Sequence, residues 1–496
     1  SSGMAMAHWE IQGWMILILG WVFVPFYSRS MVYTMPEFLE RRYNPQSRTI
    51  LSVISLVSYV LTKVAVTVYA GGLVFQQVFG IKELWGIDFF WIAAIGLVVL
   101  TAIYTIFGGM KSVLYTSVLQ TPILLLGSLI ILVLGFKELG GWDEMMRVCG
   151  AVTVNDYGDT MTNLIRSNDD ANFPWLGALI GSAIIGFWYW CTDQFIVQRV
   201  LSGKNEKEAR RGTIFGAYLK LLPVFLFLIP GMIAFALHQK YIGAGGEGFL
   251  PMLANGTANA DAAFPTLVAK LLPAGVKGLV VCGILAALMS SLASLFNSSA
   301  MLFTIDFYKR FRPETPEKKL VGIGQVATVV IVILGILWIP IMRSVGDVLY
   351  TYLQDVQSVL APGIAAAFLL GVCWKRTSAQ GGMWGLISGM VIGLTRLGAK
   401  VYYSNAGEVA DSTFKYLFYD MNWLFFCGWM FLFCMIVVIV VSLTTKAPTA
   451  EKIQGLVFGT ATKEQKAATR VSWDHWDIIH TVIILSITAA FYWYFW

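Results

Sequence analysis

The sequence is poor in charge: only 13% of its 496 residues are Asp, Glu, Lys or Arg, against roughly a quarter in ordinary soluble domains. It has no Walker A sequence, no HExxH zinc motif and no GxSxG nucleophile elbow. Its six cysteines follow neither disulfide nor zinc spacing. These absences exclude a water-soluble globular enzyme and argue against ATP hydrolysis by this chain. The absence of a dense basic run argues against a nucleic-acid partner.

Apolar residues dominate instead, since 57% of the chain is hydrophobic and the mean hydropathy is +0.69. Lipid therefore solvates most of the chain, and a bilayer is the partner implied. About twelve uncharged runs are long enough to cross the hydrocarbon as helices. They predict an all-α polytopic membrane protein with a single transmembrane domain over residues 1–496. The runs lie at 9–28, 49–79, 88–107, 112–136, 173–198, 209–238, 275–306, 320–342, 346–374, 378–399, 421–444 and 476–496.

Lysine and arginine are shared unevenly between the predicted connections. Alternate connections carry 22 of the 35 cations, the other connections and flanking helix ends carry 11, and Lys63 and Lys220 lie within spans. Because cytoplasmic loops retain positive charge, the richer set is predicted to face the cytoplasm. That set comprises 29–48, 108–111, 199–211, 307–319, 375–377 and 445–475.

Ionisable residues inside apolar spans are costly, so they are candidates for function. Each one also has a structural explanation, since Lys63 can snorkel or pair with a carboxylate, and Asp193 can pair with nearby Arg199. The five residues of this kind are Glu10, Lys63, Asp193, Lys220 and Asp355.

Two of these charges suit a polyhydroxyl solute. The Glu10 carboxylate and the Lys220 ammonium supply hydrogen-bond acceptors and donors, and the Gln354 amide supplies both. The run GFWYWCTDQ around Tyr189 places aromatic rings beside polar groups, and such rings cover the apolar face of a pyranose. The same rings equally suit a bundle core or an interface belt.

Hydroxyl groups recur inside another apolar run, MSSLASLFNSS at residues 289–299. Such groups can bond back to their own helix or join neighbouring helices. Neutral hydroxyls with backbone carbonyls also form sites for small hard cations. With no ATPase motif present, a solute carrier driven by an ion gradient is the simplest interpretation.

Several segments carry a resemblance to a known family. They are YTMPEFLERRY (33–43), IFGGMKSVLYTSVLQ (106–120), WYWCTDQFIVQRVLSGKN (188–205), GAYLKLLPVFLFLIPGMI (216–233), LMSSLASLFNSSAMLFTIDFY (288–308) and FLLGVCWKR (368–376). In order and spacing the chain resembles the sodium:solute symporter family over nearly its whole length. WYWCTDQ and YLKLLP resemble the sodium/glucose cotransporter branch in particular.

The resemblance implies an inverted-repeat fold of five plus five core helices, with the first helix of each repeat broken. The remainder of the first repeat is expected at 1–136, the second repeat at 173–374 and peripheral helices at 375–496. Within the second repeat, the broken helix is expected at 173–198 and the cation-site helix at 275–306. The segment from Gly3 resembles the second core helix, so the first core helix is expected to be missing from this chain.

The resemblance also implies site residues. Three polar residues match sugar-binding positions, two tryptophans are further pocket residues, and Tyr189 matches the aromatic that closes the pocket toward the cytoplasm. These substrate residues are Glu10, Lys220, Gln354, Trp9, Trp190 and Tyr189. A sodium ion is implied at the backbone carbonyl of Ala287 and the hydroxyls of Ser290 and Ser291.

Three positions depart from the family pattern. Gly186 stands where the pocket often has Asn, Thr or Ser, so one hydrogen bond to the sugar is expected to be lost or replaced by water. Ser117 stands where an acid is usual, and Ala293 where two-sodium carriers tend to have Thr. The sequence therefore predicts one sodium ion per sugar.

The function predicted is sodium-coupled secondary active symport of a monosaccharide of the glucose or galactose type by alternating access, without enzymatic activity. One alternative is a carrier of the same fold for inositol, sialic acid or an amino acid. Others are a sugar-sensing sodium-leak protein and a purely structural membrane protein. The predicted location is a plasma membrane, as in a bacterial inner membrane; the sequence indicates neither the preferred sugar nor the oligomeric state.

Overall fold

The computed structural model describes residues 3–253, 256–345, 349–406 and 410–496, and these are mostly helical. The main helices are α1 (Gly3–Ser30), α2 (Pro45–Phe79), α3 (Phe89–Leu139), α4 (Trp175–Thr192), α5 (Gln194–Leu201), α6 (Glu206–Gly243), α7 (Ala274–Phe311), α8 (Glu317–Val345), α9 (Leu349–Cys373), α10 (Ala379–Asn405), α11 (Trp423–Thr444) and α12 (His475–Tyr494). Shorter helices lie at Met35–Arg42, Trp142–Gly150, Ala263–Leu271, Thr413–Lys415, Ala450–Ile453 and Lys463–Val471. The strands β1 (Glu83–Leu84) and β2 (Ile87–Asp88) form an antiparallel hairpin.

Ten helices in the described part of the chain are long and apolar enough to cross a membrane, where the sequence predicts about twelve. Two predicted spans are not among the ten: 378–399, which lies in α10, and 88–107, which shares with 112–136 the single 51-residue helix α3. At 1.5 Å per residue it is about 77 Å long, more than twice the hydrocarbon thickness of about 30 Å. It runs without a break through residues 108–111, so the connection predicted there is wrong. The apolar stretches Phe89–Ile103 and Gln120–Leu139 lie toward its two ends.

Local sequence signals set where several helices begin. The Asn44 side chain accepts a hydrogen bond from the Ser47 amide at 2.8 Å just ahead of α2, and the Ser378 hydroxyl accepts one from the Gly381 amide at 3.1 Å ahead of α10. Before α12, Asp474 forms a capping box with Asp477. These side chains satisfy amide groups that the first helical turn leaves without partners.

Several long helices are interrupted within their length. In α1 the residues Ile11 and Gln12 form a turn between two helical pieces. Between α4 and α5 the chain is extended at Asp193, with φ −78° and ψ 127°, so the break predicted within 173–198 is confirmed. Wide π-helical turns, which often occur at functional sites, lie at Leu19–Phe23, Tyr59–Val64, Phe187–Thr192, Val224–Leu228, Leu302–Tyr308 and Tyr416–Asp420.

Burial separates central helices from outer ones. In the most apolar window of α9, 89% of the residues are buried, whereas in α12 the value is 22%. α9 packs against α4, α10 and α11, and α7 lies along α3. The interruptions of α1, of α2 and at Asp193 lie beside these central helices, and the candidate site is built around them.

Candidate functional site

An ion pair between α1 and α6 forms the first part of the site. Lys220 Nζ lies 2.7 Å from Glu10 Oε2, although the two residues are 210 positions apart. Glu10 is the last residue before the turn that interrupts α1. The side chains of Lys220 and Glu10 are 16% and 18% exposed, so the pair is largely removed from solvent while part of it stays accessible to a small solute.

Two residues of α9 extend this pair. The Tyr350 hydroxyl donates a hydrogen bond to Glu10 Oε1 at 2.8 Å, and the Gln354 side chain lies close to the same hydroxyl. Tyr350 and Gln354 are four residues apart, one helical turn, and therefore share a face of α9. Gln354 Oε1 is buried and has no hydrogen-bond partner among the described residues. The structure thus brings the predicted polar residues Glu10, Lys220 and Gln354 into one cluster.

Aromatic rings of the π-helical turn Phe187–Thr192 cover one side of the cluster. The Lys220 ammonium lies 5.6 Å from the ring of Trp190, and Trp190 packs edge to face with Tyr189 at 5.1 Å. Trp9 occupies a different environment, because it is 4% exposed and stacks on Trp423 at 5.4 Å. Trp190 and Tyr189 therefore adjoin the polar cluster, whereas Trp9 lies in an aromatic stack.

A second buried ion pair lies at the break between α4 and α5. Lys63, in the π-helical turn of α2, pairs with Asp193. Tyr59 donates to Asp193 Oδ1 at 2.8 Å, and the Phe195 amide donates to the same oxygen at 3.1 Å. The expectation that Asp193 pairs with Arg199 is wrong: the Lys63 ammonium reaches the carboxylate from a neighbouring helix, and Arg199 turns to α7.

The predicted cation residues lie on α7. The hydroxyl oxygens of Ser290 and Ser117 are 2.6 Å apart, so a neutral hydrogen bond joins α7 to α3. Ser294, one turn further along, donates to the Ser290 carbonyl at 3.0 Å. Ala287 and Ser291 are both partly exposed on the same stretch of helix. Hydroxyl and carbonyl oxygens of this kind are ligands that suit a small hard cation.

Residues of α5 approach the same stretch of α7. Gln198 donates to the Ser298 hydroxyl at 2.6 Å, and Arg199 contacts the Ser294 hydroxyl. A cavity of about 1200 Å³ opens beside them. Its lining includes Tyr33, Gln198, Asn297 and Lys309. The break at Asp193 therefore positions α5 between α7 and an open cavity.

A third ion pair joins α9 to α10. Asp355 directly follows Gln354 and pairs with Lys400 of α10. Its Oδ1 is buried and has no hydrogen-bond partner among the described residues. Arg396, one turn before Lys400, donates to the Met421 carbonyl at 2.7 Å. The sequence marks Asp355 as a candidate for function, and the structure shows that its partner is Lys400.

A loop carboxylate caps the helix that carries Tyr350 and Gln354. The Leu349 amide donates to both oxygens of Asp261, each at 3.1 Å. Burial raises the pKa of Asp261 to about 6, while the hydrogen bond from Leu349 opposes that rise. The loop that precedes Ala263–Leu271 is thereby attached to the start of α9.

Sequence reasoning did not identify Tyr350, Tyr59 or Gln198. Tyr350 had a signal, since it stands one turn from Gln354 on one face of a helix. Tyr59 had a similar signal, four residues before Lys63 in an apolar run. Gln198 had none, because its contact with Ser298 joins residues 100 positions apart.

Comparison with known proteins identifies the chain's relatives. The model of the sodium:solute symporter family matches residues 1–389. The sodium/mannose cotransporter of Bos taurus is 35% identical over 504 residues, covering 97% of this chain and 83% of the relative. The sodium/glucose cotransporter 1 of Ovis aries is 37% identical over 449 residues, covering 87% and 67%. The human sodium/myo-inositol cotransporter 2 is 35% identical over 473 residues, covering 93% and 69%.

A solved structure matches the fold. A sodium-coupled sialic acid symporter, in a substrate-bound outward-open state, superposes with a TM-score of 0.67 and 21% identity, covering 90% of this chain and 86% of that one. The relatives are transporters, and the prediction of a polytopic α-helical transporter fold is confirmed. The named relatives are mammalian, so they do not test the prediction of a bacterial inner membrane. The chain is a multi-pass membrane protein that belongs to the sodium:solute symporter family.

Proposed function

We propose that this sodium-coupled symporter carries a monosaccharide of the glucose or galactose type. The observation that supports this most is the cluster of Glu10, Lys220, Tyr350 and Gln354, in which Gln354 Oε1 is buried without a partner among the described residues. A polyhydroxyl solute can donate to Gln354 and Glu10 and accept from Lys220. An acceptor left without a donor in a buried site is costly, and a sugar hydroxyl removes that cost.

Each site residue has a role in this proposal. Glu10, Lys220 and Gln354 hold the hydroxyls, Trp190 borders the pocket, and Tyr189 blocks the way toward the cytoplasm. Trp9 supports the pocket from its stack on Trp423. Sodium enters from outside and binds the Ala287 carbonyl with Ser290 and Ser291. Bound sodium favours the outward-open arrangement, so it raises the affinity for sugar and sugar raises the affinity for sodium.

Release takes place on the cytoplasmic side. The halves at 1–136 and 173–374 move relative to each other, with 375–496 outside the moving core. Tyr189 then swings away, and the cavity beside Gln198 and Asn297 leads sugar and sodium out. A negative interior favours inward ion movement by about 2.3 kcal/mol per charge per 100 mV. This polarity corresponds to a plasma membrane.

The ratio is one sodium ion per sugar. By the family resemblance, a two-sodium carrier has a carboxylate at position 117 and a threonine hydroxyl at position 293, whereas this chain has Ser117 and Ala293. A measured coupling ratio near two contradicts this part of the proposal.

The test is uptake of labelled glucose and galactose into proteoliposomes under inward sodium, potassium or proton gradients. Uphill accumulation with sodium alone is expected. Glu10→Ala and Gln354→Ala are each expected to reduce the uptake rate at least about tenfold, since each removes a charged or buried hydrogen-bonding group. Glu144→Ala is the matched control, because Glu144 forms an exposed pair with Arg147. Unchanged uptake in both pocket variants refutes the pocket assignment.

A carrier for an inositol is the second candidate, because the human sodium/myo-inositol cotransporter 2 is as similar as the sugar carriers. Its substrate is a polyhydroxyl ring and can use the same donors and acceptors. Competition between labelled glucose and unlabelled myo-inositol separates the two. A sodium-leak sensor is distinguished from a symporter because sugar would evoke a sodium current without sugar accumulation.

A further inference from the structure

A glycine on α4 leaves room for a polar side chain of α1. Gly186 is the last residue before the π-helical turn Phe187–Thr192. A Cβ atom added at Gly186 would lie 2.6 Å from Gln12 Oε1, 2.9 Å from its Cδ and 3.1 Å from its Nε2. The first two distances are shorter than real Cβ contacts, so the Gln12 amide would have to move to make room for a side chain. The Gln12 amide therefore occupies the volume that a side chain at position 186 needs.

Gln12 is held there by a hydrogen bond to α4. It lies in the turn that interrupts α1, two residues after Glu10. Its side chain is 3% exposed, and its Nε2 donates to the Ser182 carbonyl at 2.8 Å. That bond orients the amide so that Oε1 is the atom nearest to the position that a Cβ atom of residue 186 would occupy. One turn beyond Gly186, Trp190 lies against the Lys220 ammonium.

The chemistry of this amide is unusual for its position. A buried amide in an apolar span is costly unless its groups are used. The nearby α1 residues Ile11 and Met15 are apolar and buried, so an apolar side chain at position 12 would serve packing equally well. Gly186 and Trp190 are one helical turn apart, and Trp190 borders the Lys220 ammonium. The Gln12 carbonyl oxygen at Gly186 therefore adds an acceptor for a hydroxylated ligand on the α4 side of the polar cluster.

We propose that Gln12 is a further substrate-selecting residue, and that it fills the place that Gly186 leaves open, so that positions 12 and 186 work as one exchangeable pair. This inference rests on the proposed function, and its ligand class is a monosaccharide whose hydroxyl donates to Gln12 Oε1. The hydrogen bond expected to be lost at Gly186 is thus supplied from α1, neither lost nor left to water.

The first experiment is a double-mutant cycle with Gln12→Ala, Gly186→Thr and the double variant, measured as sodium-driven uptake. Gly186→Thr alone is expected to reduce uptake at least about tenfold because the new side chain meets the amide. Gln12→Ala is expected to raise KM about fivefold to fiftyfold, the effect of one lost hydrogen bond. The double variant recovers to within about threefold of the parent, because the Thr hydroxyl then uses the vacated space.

Selectivity separates a binding role from a packing role. Inhibition of uptake by monodeoxy and epimeric glucose analogues is measured in the parent and in Gln12→Ala. The analogue altered at one particular hydroxyl is expected to change its relative potency in the variant, while the other analogues keep their rank order. Gly231→Thr is the control, since a side chain there meets no atom within 4 Å. An additive cycle in folded protein, or an equal loss for all analogues, overturns the inference.

A labelling experiment keeps this inference separable from the sugar assignment. Gln12→Cys is made with the exposed Cys282 and Cys373 replaced by Ala, and reaction with a water-soluble methanethiosulfonate is followed by mass. Modification is expected in Gln12→Cys and not in Leu237→Cys, whose parent side chain is also buried. If no sugar is accumulated but the thiol introduced at position 12 is modified, the sugar proposal fails and the pocket position of residue 12 is retained. A thiol at position 12 that stays unmodified overturns the inference whatever the solute.

Discussion

The Tyr350 hydroxyl donates to one oxygen of the Glu10 carboxylate at 2.8 Å while Lys220 holds the other at 2.7 Å. Helices α1, α6 and α9 therefore meet at a single carboxylate. A solute that enters the cluster competes for these bonds, and its binding changes how the three helices are tied together.

Tyr350→Phe tests this arrangement with a change of one atom. The Glu10–Lys220 pair remains, so the folded yield is expected to stay at the parent level. The KM for sugar uptake is expected to rise about threefold to tenfold, because a donor to the carboxylate is lost. Tyr157→Phe is the control, since that ring is 60% exposed. An unchanged KM excludes Tyr350 from the binding cluster.

The buried pair of Lys63 and Asp193 is expected to contribute to the stability of the folded protein. Asp193→Asn keeps an oxygen for Tyr59 and the Phe195 amide but leaves the Lys63 charge uncompensated. A destabilisation of about 3–5 kcal/mol is expected, as for other buried pairs that lose one partner. Adding Lys63→Met is expected to restore much of the melting temperature in detergent. If the double variant melts no higher than Asp193→Asn, charge compensation is not what the pair supplies.

The pair of Asp355 and Lys400 is expected to set the rotation of α9 about its axis. Because Asp355 directly follows Gln354, loss of the pair displaces the pocket amide. Asp355→Asn is expected to raise KM with a smaller change in the maximal uptake rate, and the exchange Asp355→Lys with Lys400→Asp is expected to recover part of the loss. The control is Asp411→Asn, which removes an exposed partner of Lys415. A swap that recovers nothing rejects pairing as the cause.

Asp261 predicts a pH dependence of stability. Its pKa of about 6 in the folded chain lies above the ordinary 3.8 because burial disfavours the charged form. The stability it contributes is present below the ordinary pKa and is lost as the pH rises through about 6. Between pH 5 and 7.5, the melting temperature of the parent is expected to fall relative to that of Asp261→Asn. Parallel curves for the two proteins contradict the raised pKa.

The sequence predicted the class of fold well, because hydropathy is a property of each segment. The long apolar runs and the hydroxyl-bearing helix follow from nearby residues, whereas the break within 173–198 was implied by the family resemblance. The prediction failed in α3, where the short run at 108–111 has the composition of a connection but is helical. A glycine pair and one lysine do not by themselves end a helix. The surrounding helices must also leave room for the chain to turn.

By itself, the sequence determined that this chain is a membrane protein and which family it resembles. It also identified the ionisable residues whose burial in an apolar span has to be compensated. Only the tertiary structure decided their partners: Lys63 for Asp193, Lys400 for Asp355, Tyr350 for Glu10, and Gln12 for the space at Gly186. The physical reason is that the cost of burying a polar group is local, whereas the group that offsets it comes from another helix, 45 to 340 positions away in these hydrogen bonds. Helix packing, and not composition, selects that partner.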